Sequence, residues 1–499
     1  MGESEEITLR KEKIMNWIRK PSNLAFFGIL VFAIVIRLYY FSMTLNQPLW
    51  WDEAEYMDMA RHWAFGSSYI FDAVRQIFFP LIIAFFLGLG SDVLLPRLFL
   101  LGLSIASVIG VYYLGKEIYN TKIALLSCFF MSVFYLNIFF TYRLLVDIHS
   151  LTFFTFSALF FYRYLIKNSK KSLYIASVLI AIGTLFKLST AFILPAVFIF
   201  LLVTEKLSFI KKKELWVAAS IFLLILTPYF IWGYFEFNGF VLTKASAHVA
   251  PSDYFERFFG GSKDYFSLFP VYLSWPFLIV FLLGIALMYQ LVLGFDILVK
   301  KGDKELKKYL YLFLILLLPI LLASLMIDHN ENRYIINSFP SIFIISSFFI
   351  IKSYNFIKNK NKFLAIFLVV VLLLFFAFFQ LKSTDSLIKG KLNSYSEVRE
   401  AGLWLKQNSA PSDIIVTSSH PQIKYYSERE IMPFPESEEE FELKLSSDKN
   451  LQFYIISAFE YHPEWSYTYP QRNNLTPING YFADSEQKQP LLLIYKIGD

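Results

Sequence analysis

The chain has 499 residues, of which 56% are hydrophobic, 19% aromatic and only 17% charged, with 56 Phe and 31 Tyr. A water-soluble domain carries about 25% charged residues, so an ordinary soluble enzyme and a disordered chain are both excluded. The net charge of +6 is not gathered on a soluble basic face, which argues against a nucleic-acid partner. The single cysteine, Cys128, lies in an apolar run and leaves no disulfide framework or cysteine-ligated metal.

The polar stretch Met1–Lys20 and the apolar run Leu24–Tyr40 are both too long for a cleavable signal peptide, so the run reads as a first membrane anchor. Apolar runs then recur. We read eleven spans, at about 24–42, 94–114, 123–141, 148–166, 173–187, 188–203, 215–235, 272–295, 309–327, 335–352 and 363–381. A span needs roughly 20 residues to cross ~30 Å of hydrocarbon. Basic residues cluster before the first span (Arg10, Lys11, Lys13, Arg19, Lys20) and again at Lys167–Lys171, Lys206–Lys213, Lys300–Lys308 and Lys358–Lys362. All fall on one side of the count, and by the positive-inside rule that side is the cytoplasm. The pattern requires Ile77–Leu89, apolar but short, to lie at the interface or re-enter rather than cross. Asp52 and Asp147 then share the external face.

After Leu381 the composition turns polar. Ile414–Thr417, Phe453–Ser457 and Leu491–Tyr495 read as strands, and Glu397–Gln407 as a helix. The expected fold is an all-α polytopic membrane domain over 1–381, with interfacial helices in its first external loop. A small extracytoplasmic α/β domain over 382–499 follows it. Asn474-Leu475-Thr476 forms a sequon on that external side.

The external turns hold the residues that can do chemistry. The first is Pro48-Leu49-Trp50-Trp51-Asp52-Glu53-Ala54-Glu55-Tyr56, continuing helically to about Ala64, with tryptophans suited to a membrane–water boundary. Asp52 is either a helix cap with Glu53 and Glu55 complementing the dipole, or a carboxylate acting as general base or metal ligand at the membrane surface. The second turn carries Arg143, Asp147 and His149. There Asp147 either pairs with Arg143 or faces the first carboxylate across a cavity. The third is Asp328-His329-Asn330-Glu331-Asn332-Arg333-Tyr334, a solvated turn or a phosphate clamp built on Arg333. Arg75 and Lys187 are further candidate anion contacts, unless Lys187 only snorkels. The histidines do not form a zinc-spacing motif.

In this order of features the chain resembles the C-type glycosyltransferase superfold. There is an N-terminal span, then the Trp51-Asp52-Glu53 motif with Tyr56, a short Pro80-Leu81 apolar helix and Arg97 before the next span. A second external Asp follows, and a His329–Arg333-Tyr334 turn precedes a span with Pro340. Within the superfold, residues 24–355 are similar to the dolichyl-phosphate-mannose protein mannosyltransferase and aminoarabinose transferase branch. The pattern Ala401–Gln407, Asp413–Ser419 and Tyr425-Tyr426-Ser427 is similar to the small external domain of its prokaryotic members. The resemblance implies inverting transfer of a sugar from a polyprenyl-phosphate carrier to a protein, lipid or glycan acceptor at the outer face of the cell membrane. It makes Asp52 the base, with Glu53 beside it. Asp147 becomes the second acidic residue, shaping the site or sharing a divalent ion with Asp52. The donor phosphate falls to Arg333, Arg75 and Lys187. Glu55, Tyr56, His149, His329, Glu331 and Tyr334 would line the site. One departure is visible: where relatives carry Lys- or His-Pro-Pro-Leu, this chain has Arg75-Gln76-Ile77-Phe78-Phe79-Pro80-Leu81.

The rival reading is a transporter or a flippase for lipid-linked sugars. Such a protein places polar groups near mid-membrane, whereas here they gather at one face.

Overall fold

In lipid every backbone N–H and C=O must be satisfied within the chain, and a helix does this locally. The long apolar runs therefore fold as helices. A computed structural model describes residues 19–246, 254–294, 296–298, 303–326, 331–484 and 486–498. His329 lies outside the described residues. The helices used below are α1 (Pro21–Thr44), α2 (Trp51–Phe65), α3 (Phe78–Gly88), α4 (Leu94–Ile118), α5 (Thr121–Val133), α6 (Tyr135–Phe140), α7 (Asp147–Lys167) and α8 (Lys170–Phe186). They continue as α9 (Ile193–Glu205), α10 (Lys213–Glu236), α11 (Tyr254–Ser267), α12 (Trp275–Ala286), α13 (Lys304–Met326), α14 (Phe339–Lys358) and α15 (Lys362–Gly390). The last four are α16 (Ser396–Asn408), α17 (His420–Ser427), α18 (Glu438–Ser447) and α19 (Glu464–Arg472).

Among the described residues, eight helical segments are long and apolar enough to cross a membrane, each on an expected span. The other three expected spans fall on α5 with α6, on α7 and on α8, which are shorter or more polar. The helix α3, with 11 residues, is about 16 Å long. It is too short to cross ~30 Å of hydrocarbon, in line with an interfacial or re-entrant role.

The chain divides into two units. The first comprises 1–42, 71–78 and 97–388; the second comprises 43–70, 79–96 and 389–499. In the first unit α7 and α8 form an antiparallel pair joined by Asn168 and Ser169. Asn168 adopts the left-handed cap conformation, and Ser169 caps α8 by accepting from the Ser172 N–H. Arg37 of α1 is fully buried and donates to Ser104 Oγ (2.7 Å), the Ser132 carbonyl (3.0 Å), the Ala33 carbonyl (3.2 Å) and Asn137 Oδ1 (3.3 Å). A charge at this depth persists because its donors are bonded.

The second unit contains a five-stranded sheet of β1 (Ile414–Val416), β2 (Glu430–Met432), β3 (Leu451–Ser457), β4 (Pro477–Phe482) and β5 (Pro490–Lys496), in the order β2-β1-β3-β5-β4. The strand β1 runs parallel to β2 and β3, while β5 runs antiparallel to β3 and β4. Alternation along β3 sends Phe453 and Ile455 to one face, where they pack with Val398, Ala401 and Leu405 of α16 and Ile423 of α17. It sends Tyr454 to the other face, against Phe441 of α18 and Tyr469 of α19. The same unit includes α2. Its C-terminal Gly66 takes the left-handed cap with φ 74°, a conformation open to glycine without a Cβ penalty.

Candidate active site

The first unit gathers the charged residues of three elements. Lys187, at the end of α8, places its ammonium 2.5 Å from Asp147 Oδ1 at the start of α7. The Asp147 side chain is 1% exposed and that of Lys187 14%. Lys187 therefore does not merely snorkel; it is the cationic partner of Asp147. The Lys187 ammonium also lies 4.9 Å from the centre of the Tyr334 ring, a cation–π contact. Tyr334 in turn joins the third element. Its hydroxyl donates to Glu331 Oε1 (3.2 Å), and Arg333 Nε lies 2.8 Å from Glu331 Oε2. Asp147, Lys187, Tyr334, Glu331 and Arg333 thus form one continuous chain of charge and hydrogen bonds.

Beneath it runs a buried polar layer. Asn337 Nδ2 donates to Ser150 Oγ (2.9 Å), Thr190 Oγ1 donates to the same hydroxyl (2.9 Å), and Thr190 also bonds the Gly183 carbonyl (3.0 Å). Each member stands three residues after a charged-layer residue: Asp147 and Ser150, Lys187 and Thr190, Tyr334 and Asn337. That spacing puts both members of a pair on one side of a helical element. The lower layer therefore fixes the rotation of each element, and with it the position of the charge above.

Gly183 shows how close the packing is. A Cβ there would meet Thr190 Cγ2 at 2.6 Å and Phe153 Cβ at 2.7 Å.

His149 is fully buried and stacks on Phe186, with ring centres 4.2 Å apart. It serves as a packing residue behind Lys187. Arg75 lies half-buried on the turn ahead of α3. Phe78, three residues on, packs edge-to-face against Phe186 at 4.8 Å, so the Arg75 segment runs beside the end of α8.

The second unit carries the other candidates. Asp52 and Glu53 occupy the first turn of α2, where carboxylates complement the helix dipole. Asp52 is half-buried. Glu53 is fully buried and its carboxylate accepts from the Trp50 N–H at 2.8 Å, so it closes the helix start. Glu55 accepts from the Tyr69 hydroxyl, and the Tyr56 ring packs edge-on against Phe79 at 5.9 Å.

The loop ahead of α2 is fastened by the α/β part of the same unit. The Leu49 N–H donates to the Tyr426 hydroxyl (2.9 Å), Gln47 Nε2 to the Lys391 carbonyl (2.5 Å), and Arg399 Nη1 to the Asn46 carbonyl (2.8 Å). Trp51 packs edge-on against His420 at 5.0 Å.

The donor set around Asp147 does not suit a divalent ion. One carboxylate oxygen already faces an ammonium, and among the described residues no group of three His, Cys, Asp or Glu side chains could hold a metal.

Two features went unread in the sequence. Arg37 was signalled only by a lone charge inside an apolar run. Asp58, nearly buried on α2, had no signal beyond its place six residues after Asp52.

A part rich in apolar helices and a small α/β part are what the sequence resemblance to C-type glycosyltransferases implies. Residues 75–232 match the family model described as dolichyl-phosphate-mannose-protein mannosyltransferase. The fold is similar to that of ArnT from Cupriavidus metallidurans in the apo state. That match has 11% identity and a TM-score of 0.63, over 95% of this chain and 98% of that one. It is also similar to ArnT bound to undecaprenyl phosphate, at 10% identity and a TM-score of 0.61, over 94% and 98% of the two chains. The archaeal oligosaccharyltransferase AglB from Archaeoglobus fulgidus, in complex with an inhibitory peptide and a dolichol-phosphate, is similar at 12% identity and a TM-score of 0.58. There the match covers 88% of this chain and 70% of that one. No curated protein sequence matches the chain. The resemblance read from the sequence and these structural matches agree on the fold.

Proposed function

We propose that the protein is a membrane glycosyltransferase that moves a sugar from a polyprenyl-phosphate carrier to an acceptor hydroxyl, with inversion at the anomeric carbon. The observation that carries this reading is the linked set Asp147–Lys187–Tyr334–Glu331–Arg333 in a fold whose relatives were solved with undecaprenyl phosphate or dolichol-phosphate. Lys187 and Arg333 are cations held in place by carboxylates and by the polar layer below them. A phosphate leaving group develops charge as the bond from the anomeric carbon to its oxygen breaks. Prepositioned cations stabilise that charge without reorganising. The acceptor oxygen forms the new bond to the anomeric carbon. Its proton passes to Asp52, a half-buried carboxylate suited to a general base. Polyprenyl phosphate and the glycosylated acceptor are the products. The clustering of Lys and Arg in alternate loops supports an extracytoplasmic location for the chemistry.

The test is transfer in vitro. Purified protein and its Asp52→Asn variant are given radiolabelled polyprenyl-phosphate sugars, with membrane extract as acceptor source. Label enters product with the native chain, and Asp52→Asn lowers the rate by about 10²-fold or more. Absence of transfer from every donor by folded protein would refute the reading. Full activity of Asp52→Asn would return Asp52 to a helix-cap role.

A further inference from the structure

The second unit contains a cavity of about 680 Å³ between the C-terminal half of α2, the start of β1, and the turn from α17 to β2. Its lining mixes charged, polar and aromatic side chains. Asp58, Arg61 and Phe65 come from α2, and Lys424, Arg429 and Asn450 from the α/β part.

Asp58 is only 5% exposed, and among the described residues no hydrogen bond or ion pair satisfies its carboxyl. Its carboxyl lines a cavity large enough for a ligand. Burial pushes its acidity well above the usual carboxylate range, although Arg61 and Lys424 pull the other way.

The two cations are held in position. Arg61 stacks over the Tyr425 ring at 3.8 Å and donates to the Tyr425 carbonyl at 2.7 Å. Lys424 donates to the Ser68 carbonyl at 2.7 Å. Each spends one donor in that bond, out of the five of a guanidinium and the three of an ammonium. Arg429 bonds Ser409, Ser427 and the Lys406 carbonyl and serves as a structural cation. Of the acidic residues, Glu428 is neutralised by Lys406 at 2.7 Å, and Glu430 is exposed. With Lys406 paired to Glu428, the cations Arg61, Lys424, Arg429 and Lys406 exceed the carboxylates Asp58, Glu428 and Glu430 by one.

Phe65, 66% exposed, supplies an apolar face at the cavity wall. An aromatic face, a carboxyl, an amide and fixed cations together match a sugar ring that carries an acidic group. The stacking surface meets the ring, Asp58 and Asn450 meet hydroxyls, and Arg61 and Lys424 meet the oxyanion.

We propose that this cavity binds an acidic saccharide, as a subsite for the acceptor distal to the reacting hydroxyl. The acceptor role rests on the transferase reading above; the binding does not. Asp58 and Arg61 stand six and nine residues beyond Asp52 on α2, about 9 and 14 Å along the helix axis. A short oligosaccharide spans that distance.

The experiment is equilibrium binding to the full chain in detergent, without donor, by calorimetry. The probes are trigalacturonate, the neutral maltotriose, and inorganic phosphate. Trigalacturonate binds saturably, maltotriose at least ten-fold more weakly, and phosphate alone more weakly than trigalacturonate. Arg61→Gln and Lys424→Gln each lower the affinity for trigalacturonate by about ten-fold. Ser412→Trp, on the exposed rim, obstructs the cavity without touching the Arg61 stack. It guards against a loss caused by misfolding, and unchanged thermal melting accompanies the lost binding. Asp52→Asn binds trigalacturonate as the native chain does while losing transfer. Thus a failed transfer assay with intact binding refutes only the enzyme reading. Equal binding of maltotriose would overturn the acidic specificity. Phosphate binding as tightly as the saccharide would overturn the sugar. Absence of saturable trigalacturonate binding, or its survival in both charge variants and in Ser412→Trp, would overturn the site.

Discussion

The Asp147–Lys187 pair gives a quantitative test of the first unit. Lys187→Met removes the ammonium 2.5 Å from a carboxylate whose side chain is 1% exposed. Its second oxygen, Oδ2, is buried without a hydrogen-bond partner among the described residues. Removing one partner of a buried pair leaves an uncompensated charge and costs about 3–5 kcal/mol. Asp147→Asn is milder. The ammonium that remains keeps the Tyr334 ring at 4.9 Å and is itself 14% exposed, so about 1–2 kcal/mol is expected, near the net worth of a hydrogen bond to a charged group. In the double variant both charges are gone, so its loss should stay near that of Asp147→Asn. The cycle should then return a coupling energy of about 3–5 kcal/mol, the size of the Lys187→Met loss. Reversible unfolding of the four proteins by SDS in mixed micelles measures each value. Losses that add to within ~0.5 kcal/mol would show the two groups to be independent. They would remove the Lys187–Asp147 link from the proposed phosphate site.

Three further outcomes follow from single positions. Gly183→Ala forces a Cβ to within 2.6 Å of Thr190 Cγ2, and overpacking of this kind costs about 1–3 kcal/mol; the same SDS titration reads it, with Gly28→Ala, where a Cβ meets nothing within 4 Å, as the control. Tyr426→Phe deprives the buried Leu49 N–H of its acceptor and should cost about 1–3 kcal/mol; limited proteolysis should find the loop before α2 cut faster. Asp58→Asn should stabilise the protein at pH 7–8 and lose that advantage as the pH is lowered toward 4. The native carboxyl titrates well above 3.8 in the folded chain, so the folded state holds more protons than the unfolded one between the two values. Native stability therefore falls as pH rises through that window. Thermal melting from pH 4 to pH 8 checks the sign, and a variant penalty that grows with pH would contradict it.

Much of the helical architecture was legible because a run of apolar residues in lipid has few alternatives to a helix. The central strands of the α/β part were equally plain: Phe453–Ser457 and Leu491–Tyr495 lie inside observed β3 and β5. The edge strands were not. Glu430–Met432 is three residues long and opens on a charge, and Pro477–Phe482 opens on a residue that cannot donate to a ladder. In the candidate site, residue types at the span ends marked Asp147, Lys187, Glu331 and Arg333 separately. Their linkage was invisible because the partners are far apart in sequence: Lys187 is 40 residues from Asp147. A pair with Arg143, nearer in sequence, was one of two readings for Asp147; the cation beside its Oδ1 is Lys187. On α2, local spacing did not separate Glu53, tied to the helix start, from Asp58, which lines a cavity.

The second unit is assembled from chain segments that leave the ribosome far apart in time. Residues 43–70 and 79–96 are made early, whereas their companions begin at Lys389, about 320 residues after Ile70. At synthesis rates of about 5–20 residues per second, the helix that carries Asp52 waits roughly 16–64 s for the segments that fasten it. During that interval the Leu49 N–H has no Tyr426 hydroxyl and the side chain of Arg61 has no Tyr425 ring. Biogenesis therefore places the holding of the proposed base at the very end, so a chain stopped at the last membrane helix carries every span but leaves that carboxylate unfastened.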